Sequence, residues 1–367
     1  MIKLIESGLV YRNPHPNRRS IHAWHPTLVV LGEGKLLAAF DLGEAAESVN
    51  YRTYLSHSSD HGRTWSPPAR FFPDEPARLQ RHSVRMSQMR DGTLIATGGR
   101  RFMEHADEDV FNRETFGAMP LELILLRSGD HGQTWEGPKI LDSPVKEPIE
   151  ICHALVELAD GRWLWPASTM RRWNGEAPEG VKAIALVSHD RGETWTDSID
   201  VLDSHADGIM QFESSLIQLP DDRLLAASWA FDPQSGTSRP LPYAISADGQ
   251  TFGPAHQTGL KGETSKLLSL GDDRVLCVYR RFDQPGLWAN ISRLEGENWV
   301  NLEETPLWQG AESRMFGERA APDELSDLEF GFPQPHLLPD GNVMILFWCR
   351  EECINNIRWQ RISVSCP

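Results

Sequence analysis

The sequence predicts an all-β protein, either a propeller or a sandwich, and two internal repeats carry that prediction. The first repeat is an eight-residue turn with Ser, Asp, Gly, Thr and Trp at fixed positions, intact at 58–65, 128–135 and 188–195. A shortened copy occupies 246–252, and we interpret 292–299 as a degenerate copy. Repeats at such spacing determine the architecture of the whole chain.

The second repeat is a pair of apolar strands joined by a turn. Its six copies begin at His25, Ser83, Cys152, Glu213, Thr264 and Phe332. Short strands separated by regular turn signals are typical of propellers and sandwiches, and six copies predict six blades. The alternating stretch from Asn356 begins too late for a seventh blade, so we expect it to form the third strand of blade six. Residues 2–11 would form the fourth, and this pairing of the termini would remove exposed strand edges.

The eight-residue turn has the chemistry of a locked hairpin. Asp and Ser side chains hydrogen-bond to nearby backbone groups, and Gly reaches the left-handed conformation at little cost. The motif resembles the Asp box of the sialidase-type propellers. That resemblance implies one six-bladed β-propeller domain over 1–367, with four-stranded antiparallel blades. It also implies that each box joins the third and fourth strands, away from the binding site, so we interpret these Asp residues as structural.

Composition limits the possible partners. The formal net charge of −16 argues against nucleic acid and an anionic membrane surface, although a local arginine cluster could still bind an anionic sugar. Five Cys form no CxxC pair, and no pattern suggests a metal or another cofactor. The first residues show no signal peptide, so we expect a cytoplasmic protein, or a secreted one if a signal had been removed. The oligomeric state is not predicted.

The resemblance to sialidases fails at their chemical positions. Their Arg-Ile-Pro at the start of blade one reads 24–26 here, Trp-His-Pro, and their Gly-Tyr-Ser before the last blade reads 331–333, Gly-Phe-Pro. The arginine expected after the second strand of blade four is replaced by Ser-Trp at 228–229, while Glu213 keeps the spacing of the glutamate that activates the tyrosine. The sequence therefore predicts a divergent member that is not a standard exo-sialidase.

Many polar residues nevertheless stand at strand starts and ends that map onto one rim of a propeller. Because two carboxyl groups can cleave a glycosidic bond, we predict a glycoside hydrolase with a glycan or oligosaccharide as its substrate. The predicted catalytic residues are Glu213, Glu150, Asp41 and Glu47. The predicted substrate-binding residues are His22, His25, Arg81, Arg85, His153, Glu263, Tyr279, Arg280, Arg281, Gln334 and Arg350. The long irregular stretches 102–121, 233–241 and 310–329 are candidate loops around the site.

Two alternatives stay open. A polysaccharide lyase would use His25, Tyr279 and the arginines for β-elimination from a uronic acid, with arginine neutralising the carboxylate. A non-catalytic glycan-binding propeller would use the same rim, with Trp24, Trp229 and Trp288 as stacking platforms.

Overall fold

A computed structural model describes residues 1–76, 78–310 and 328–365. Most of the candidate loop 310–329 therefore lies outside the described residues. The chain forms six antiparallel sheets, the blades of a six-bladed β-propeller, as the repeats predict. None of the helices in the described ranges has the length and apolar character needed to span a bilayer.

The strands follow one another blade by blade. The first, β1, spans Ile2–Arg12 and belongs to blade six. Blade one contains β2 (His22–Gly32), β3 (Lys35–Gly43), β4 (Arg52–Ser58) and β5 (Ala69–Arg70). Blade two contains β6 (Leu79–Gln88), β7 (Leu94–Met103), β8 (Glu122–Ser128) and β9 (Glu136–Leu141).

Blades three and four each carry an extra short strand. Blade three contains β10 (Ile149–Glu150), β11 (Val156–Glu157), β12 (Trp163–Thr169), β13 (Ala183–Ser188) and β14 (Asp197–Leu202). Both β10 and β11 pair with β12, so the inner strand of this blade is interrupted by residues 151–155. Blade four contains β15 (Met210–Gln218), β16 (Leu224–Asp232), β17 (Thr237–Arg239), β18 (Pro242–Ser246) and β19 (His256–Gln257), and a 3₁₀ turn at His205–Asp207 precedes it.

The last two blades complete the set. Blade five contains β20 (Gly262–Gly271), β21 (Arg274–Arg281), β22 (Leu287–Glu295) and β23 (Asn298–Trp308). Blade six contains β24 (Phe330–Leu337), β25 (Val343–Glu351) and β26 (Ile354–Val364), and β26 pairs with β1 along its length, from Ile2 with Val364 to Arg12 with Asn356. The predicted pairing of the two termini is confirmed.

The chain divides into two compact units. The first comprises Met1–Val110, Leu121–Ile140 and the residues from Leu328, and it contains blades one, two and six. The second comprises Phe111–Pro120 and 141–310, and it contains blades three to five. The expectation of a single domain stays a prediction.

Apolar side chains from neighbouring blades form the core of each unit. In the first unit, Leu37 of blade one packs with Val84 and Ile124 of blade two. In the second, Leu164 of blade three packs with Leu216 of blade four, and a further cluster joins blades four and five. The second strand of a blade, such as β3, β16 or β25, is buried on both faces. Its sequence is therefore a nearly continuous apolar run.

The turn motif folds as a locked hairpin between third and fourth strands. Ser58 Oγ accepts the Gly62 N–H at 2.9 Å, and Asp60 accepts the Thr64 N–H at 2.9 Å and the Thr64 hydroxyl at 2.6 Å. The Trp65 indole N–H donates to the Gly62 carbonyl at 2.8 Å. These bonds, above all the one from the Thr64 hydroxyl, lower the pKa of Asp60 to about 2. The bonds of the Ser and Asp side chains recur at 128–135 and 188–195, so these carboxylates bind within the turn. The indole bond recurs at Trp135, at 3.3 Å.

Candidate active site

Four inner strands share one irregularity at the start of their blades. The register slips by the same amount between Trp24 and Thr27, Phe212 and Ser215, Glu263 and Lys266, and Gly331 and Gln334. Each bulge holds a non-glycine residue in the left-handed region: His25 (φ 49°), Glu213 (46°), Thr264 (50°) and Phe332 (52°). Such conformations are costly, and bulges redirect side chains near active sites. This shared irregularity selects the strand starts as the candidate site.

In the first unit, polar groups gather around Asp41 at the end of β3. Asp41 is fully buried and accepts hydrogen bonds from the Thr53 hydroxyl at 2.5 Å, from the Ser83 hydroxyl and from Arg85 Nη1 at 3.4 Å. Burial pushes its pKa upward, but the hydrogen bond from His25 and the charge of Arg85 outweigh burial, and the pKa lies below its ordinary value. Asp41 is therefore an ionised carboxylate.

His25 lies against this carboxylate. Its Nδ1 is 3.2 Å from Asp41 Oδ2 and 2.8 Å from the hydroxyl of Tyr51. Burial, and then the charge of Asp41, raise the pKa of Tyr51 well above its ordinary value, so this hydroxyl stays protonated. The ring of Phe332 packs edge-on against His25 at 4.8 Å, and the Arg85 guanidinium lies 4.8 Å from the same ring. A carboxylate at Nδ1 fixes the tautomer of a histidine, as a general base requires.

The other predicted residues of this unit have different surroundings. Glu47 forms an ion pair with Arg81, whose guanidinium lies 4.9 Å from the Tyr51 ring centroid. His22 packs on Trp24, and burial, followed by the charges of His25 and Arg350, lowers the pKa of His22 to about 3. Two further residues lie farther along blade six: Gln334 is buried, and Arg350 donates to Glu329 at 3.0 Å.

In the second unit, Glu150 and Glu213 form a carboxylate pair. The backbone N–H of Glu213 donates to Glu150 Oε2 at 3.4 Å, and carboxylate oxygens of the two residues lie within 4.8 Å of each other. Burial, and then the charge of Glu213, raise the pKa of Glu150 to about 7. The Cys152 thiol and the charge of Lys266 act in the opposite direction. Glu150 is thus a carboxyl group that can give up and take a proton near neutral pH.

Cys152 also brings Sγ within 4.8 Å of both carboxylates, and this is the one such grouping of three potential metal ligands in the described part of the chain. A mixed set of one thiol and two carboxylates, without histidine, differs from the usual structural and catalytic zinc sets.

Glu263 and Arg280 lie in the next blade of the same unit and form a buried ion pair. Arg280 Nε and Nη2 both lie 3.0 Å from Glu263 Oε2, and the Ser238 hydroxyl donates to Glu263 Oε1. Burial raises the pKa of Glu263, and the charge of Arg280 opposes that rise. The pair holds the start of β20 against β17 and the end of β21.

The remaining predicted residues of this unit have other partners. Tyr279 donates to Glu304, and Arg281 binds Glu304 and Asp283 at 2.6 Å each. Successive side chains of a strand alternate between faces, so Tyr279 and Arg281 lie on the opposite face of β21 from Arg280. His153 lies in the interrupted inner strand, where Nδ1 is 2.8 Å from the Ala154 carbonyl.

The three tryptophans considered as stacking platforms are buried. Trp24, Trp229 and Trp288 are 4%, 2% and 9% exposed. Since a sugar stacks on an open ring face, these three tryptophans offer no stacking platform.

Several residues around the two groups carry no signal in the sequence. Tyr51 and Thr53 follow no motif, and Ser83 is marked only as the start of a repeat copy. The roles of all three arise from contacts within and between blades one and two. Lys266 precedes Leu267 and Leu268 in the inner strand β20. A lysine at such a position is unusual because lysines are rarely buried. Cys152 begins the third copy of the strand repeat, but no CxxC pair or metal pattern marks it as a site residue.

The blades, the Asp boxes and the polar strand starts define a class, the Asp-box β-propellers. Within that class the chain belongs to the BNR repeat-like domain family, whose sequence model matches residues 111–345. No curated protein matches the sequence.

Solved structures share the fold at low sequence identity. A Dyadobacter fermentans protein of unknown function is 21% identical with a TM-score of 0.78, and 99% of each chain is covered. The Hadza microbial sialidase Hz136 is 16% identical with a TM-score of 0.66, covering 97% of this chain and 68% of the sialidase. A Penicillium chrysogenum α-L-arabinanase complexed with arabinobiose is 15% identical with a TM-score of 0.65, covering 98% of both chains. These similarities establish the fold, whereas the activity has to be inferred from the residues of the site.

Proposed function

We propose that the protein is a glycoside hydrolase in which Glu150 is the general acid and base and Glu213 is the nucleophile. The observation that carries this proposal is the carboxylate pair, with oxygens within 4.8 Å and the pKa of Glu150 raised to about 7. Retaining glycosidases place their two carboxyl groups about 5–5.5 Å apart, whereas inverting enzymes leave a wider gap for water. The short separation favours the retaining mechanism.

The reaction would proceed in two displacements. The Glu213 carboxylate attacks the anomeric carbon while the Glu150 carboxyl proton passes to the leaving oxygen, so a glycosyl ester forms as the glycosidic bond breaks. Glu150, now ionised, removes a proton from water. The resulting hydroxide displaces Glu213 and completes hydrolysis with retained configuration.

The other predicted residues of the second unit would support this pair. Glu263 and Arg280 are 2% and 3% exposed, so we assign them to holding the bulge of β20 in place. A similar arabinanase was solved with arabinobiose, which makes arabino-oligosaccharides the first substrates to test.

The group in the first unit favours a second candidate, a lyase. Asp41 at His25 Nδ1 and the protonated hydroxyl of Tyr51 form an acid–base set, and Arg85 adds a positive charge. In β-elimination, His25 would remove the proton beside a uronate carboxylate and Tyr51 would protonate the leaving oxygen. Tyr51 would thus take the role that the sequence suggested for Tyr279.

Product analysis on an oligosaccharide panel tests both functions. We expect new reducing ends without absorbance in the unsaturated-uronide band, and we expect the first product observed by ¹H NMR to keep the anomeric configuration of the substrate. Absorbance in that band would identify the lyase instead. Glycan binding without either product would contradict both catalytic proposals.

Simple aryl sialosides should not be hydrolysed at a significant rate. Trp24 and Phe332 occupy the positions where sialidases need an arginine and a nucleophilic tyrosine, and Phe332 has no hydroxyl. Fluorogenic aryl sialosides, with a known sialidase as positive control, provide the measurement. Rapid turnover inhibited by a sialic-acid transition-state analogue would show that this comparison of strand starts is misaligned.

A further inference from the structure

An arrangement around two of the bulges is repeated within the two units. In the first unit, the bulge residue His25 is followed two positions later by Thr27, whose hydroxyl accepts the backbone N–H of Met86 from the next blade at 3.4 Å. In the second unit, Glu213 is followed by Ser215, whose hydroxyl accepts the N–H of Leu267 at 2.9 Å. At this hydrogen bond, β2 and β6 of the first unit are therefore aligned in the same way as β15 and β20 of the second.

This register places a buried cation at the same position in both units. Arg85 precedes Met86, and Lys266 precedes Leu267. Arg85 is 2% exposed and Lys266 is 1% exposed. Arg85 Nη1 contacts the Asp41 carboxylate at 3.4 Å, so one of the two buried cations lies against a carboxylate, the one near the end of β3.

Lys266 lies beside the strand start that carries Glu213, because its neighbour Leu267 is hydrogen-bonded to Ser215. Its charge acts on Glu150, together with the Glu213 carboxylate and the Cys152 thiol. The nearby charges of Glu263 and Arg280 compensate each other within their own ion pair. Two carboxylates and one buried ammonium group are neutral when the carboxylates share a single proton, which is the state that an acid and a nucleophile need.

Packing alone does not explain a lysine at this position. Neighbouring inner-strand positions carry Leu267 and Leu268, and burying an ammonium group costs far more than burying a methionine of similar length. A lysine retained in spite of that cost is accounted for by its effect on the charges beside it.

We propose that Lys266 is a positioning residue that keeps one carboxylate of the Glu150–Glu213 pair ionised while the other holds a proton. This inference rests on the proposed function, and Lys266 acts through the two carboxylates without contacting the substrate.

The test is the titration of Glu150 in the full-length protein labelled with ¹³C at glutamate Cδ. The Glu150 resonance is assigned by its loss in Glu150→Gln. Removing an opposite charge raises a carboxyl pKa, so in Lys266→Met the midpoint should rise above about 7. The pH optimum of hydrolysis should move upward with it.

Lys182→Met is the matched control. Lys182 belongs to the same unit and binds Asp200 at 2.8 Å, so its loss should leave the Glu150 midpoint unchanged. Lys266→Arg keeps the positive charge and should also keep the midpoint. Melting temperature is measured in parallel, and Lys266→Met should be as stable as the parent or more stable.

A folded Lys266→Met or Lys266→Gln protein with the parent midpoint would overturn the proposal. So would failure of both uncharged variants to fold, since Lys266 would then be a structural residue. The titration needs no substrate, which separates the two hypotheses. A raised midpoint in a protein without glycosidase activity removes the proposed function alone, and an unchanged midpoint with Glu213-dependent hydrolysis removes the role of Lys266 alone.

Discussion

Glu213→Gln is expected to lower turnover of the glycan substrate by at least roughly 10²–10⁴, the usual size of a general acid–base contribution. The amide cannot form the glycosyl ester, yet it keeps the shape of the side chain. The backbone N–H that donates to Glu150 also remains. The measurement is kcat and KM on the glycan that the panel identifies, together with the melting temperature.

Asp222→Asn provides the matched control for that substitution. Asp222 lies in the turn after the strand that carries Glu213, has a positive φ of 69° and is exposed. Its conversion to an amide should leave turnover and stability nearly unchanged. If Glu213→Gln instead lowered the melting temperature and kept activity, Glu213 would be a strand-start residue only, and the lyase built on His25 and Tyr51 would become the leading function.

The fold was predictable because its determinants are local. Each turn at 58–65, 128–135 and 188–195 uses bonds within eight residues, and such bonds leave a fixed spacing in the sequence. The pairing of β1 with β26 is a long-range contact. It was predictable because polar and apolar residues alternate in both segments, as in strands, and because blade six was the blade that still needed two strands.

The site was only partly predictable, because its determinants are contacts between strands. Glu150 and Glu213 could be selected from their positions at the start of inner strands. The short distance between their carboxylates, however, depends on the interruption between β10 and β11 and on the bulge at Glu213. Positive φ at Glu213, His25 and Phe332 is imposed by tertiary structure. Tyr51 reaches His25 only through the folding of blade one.

One pairing could have been excluded from the sequence. Tyr279 and Arg280 are adjacent in β21, and adjacent strand residues point to opposite faces. Tyr279 accordingly contacts Glu304, while Arg280 contacts Glu263. Adjacency along a strand is evidence against a shared site, whereas spacing by two is evidence for one.

Glu150 should control the basic limb of the pH profile. Its pKa is raised to about 7 by burial and by the charge of Glu213, and the general acid must be protonated in the first displacement. As pH rises through that value, kcat/KM on an unactivated glycan should fall about tenfold per pH unit. The limb should be absent in Glu150→Ala assayed on an aryl glycoside, whose leaving group needs no proton.

Azide should distinguish the two carboxylates by the configuration of the product. In Glu150→Ala, azide would attack the anomeric carbon of the glycosyl ester, displace the Glu213 carboxylate and give a glycosyl azide of retained configuration. In Glu213→Ala, azide would attack the aryl glycoside directly and give the inverted azide. The anomeric couplings of the azides in ¹H NMR provide the measurement. Inverted azide from Glu150→Ala would reverse the two roles, and azide rescue of neither variant would contradict a double displacement on this pair.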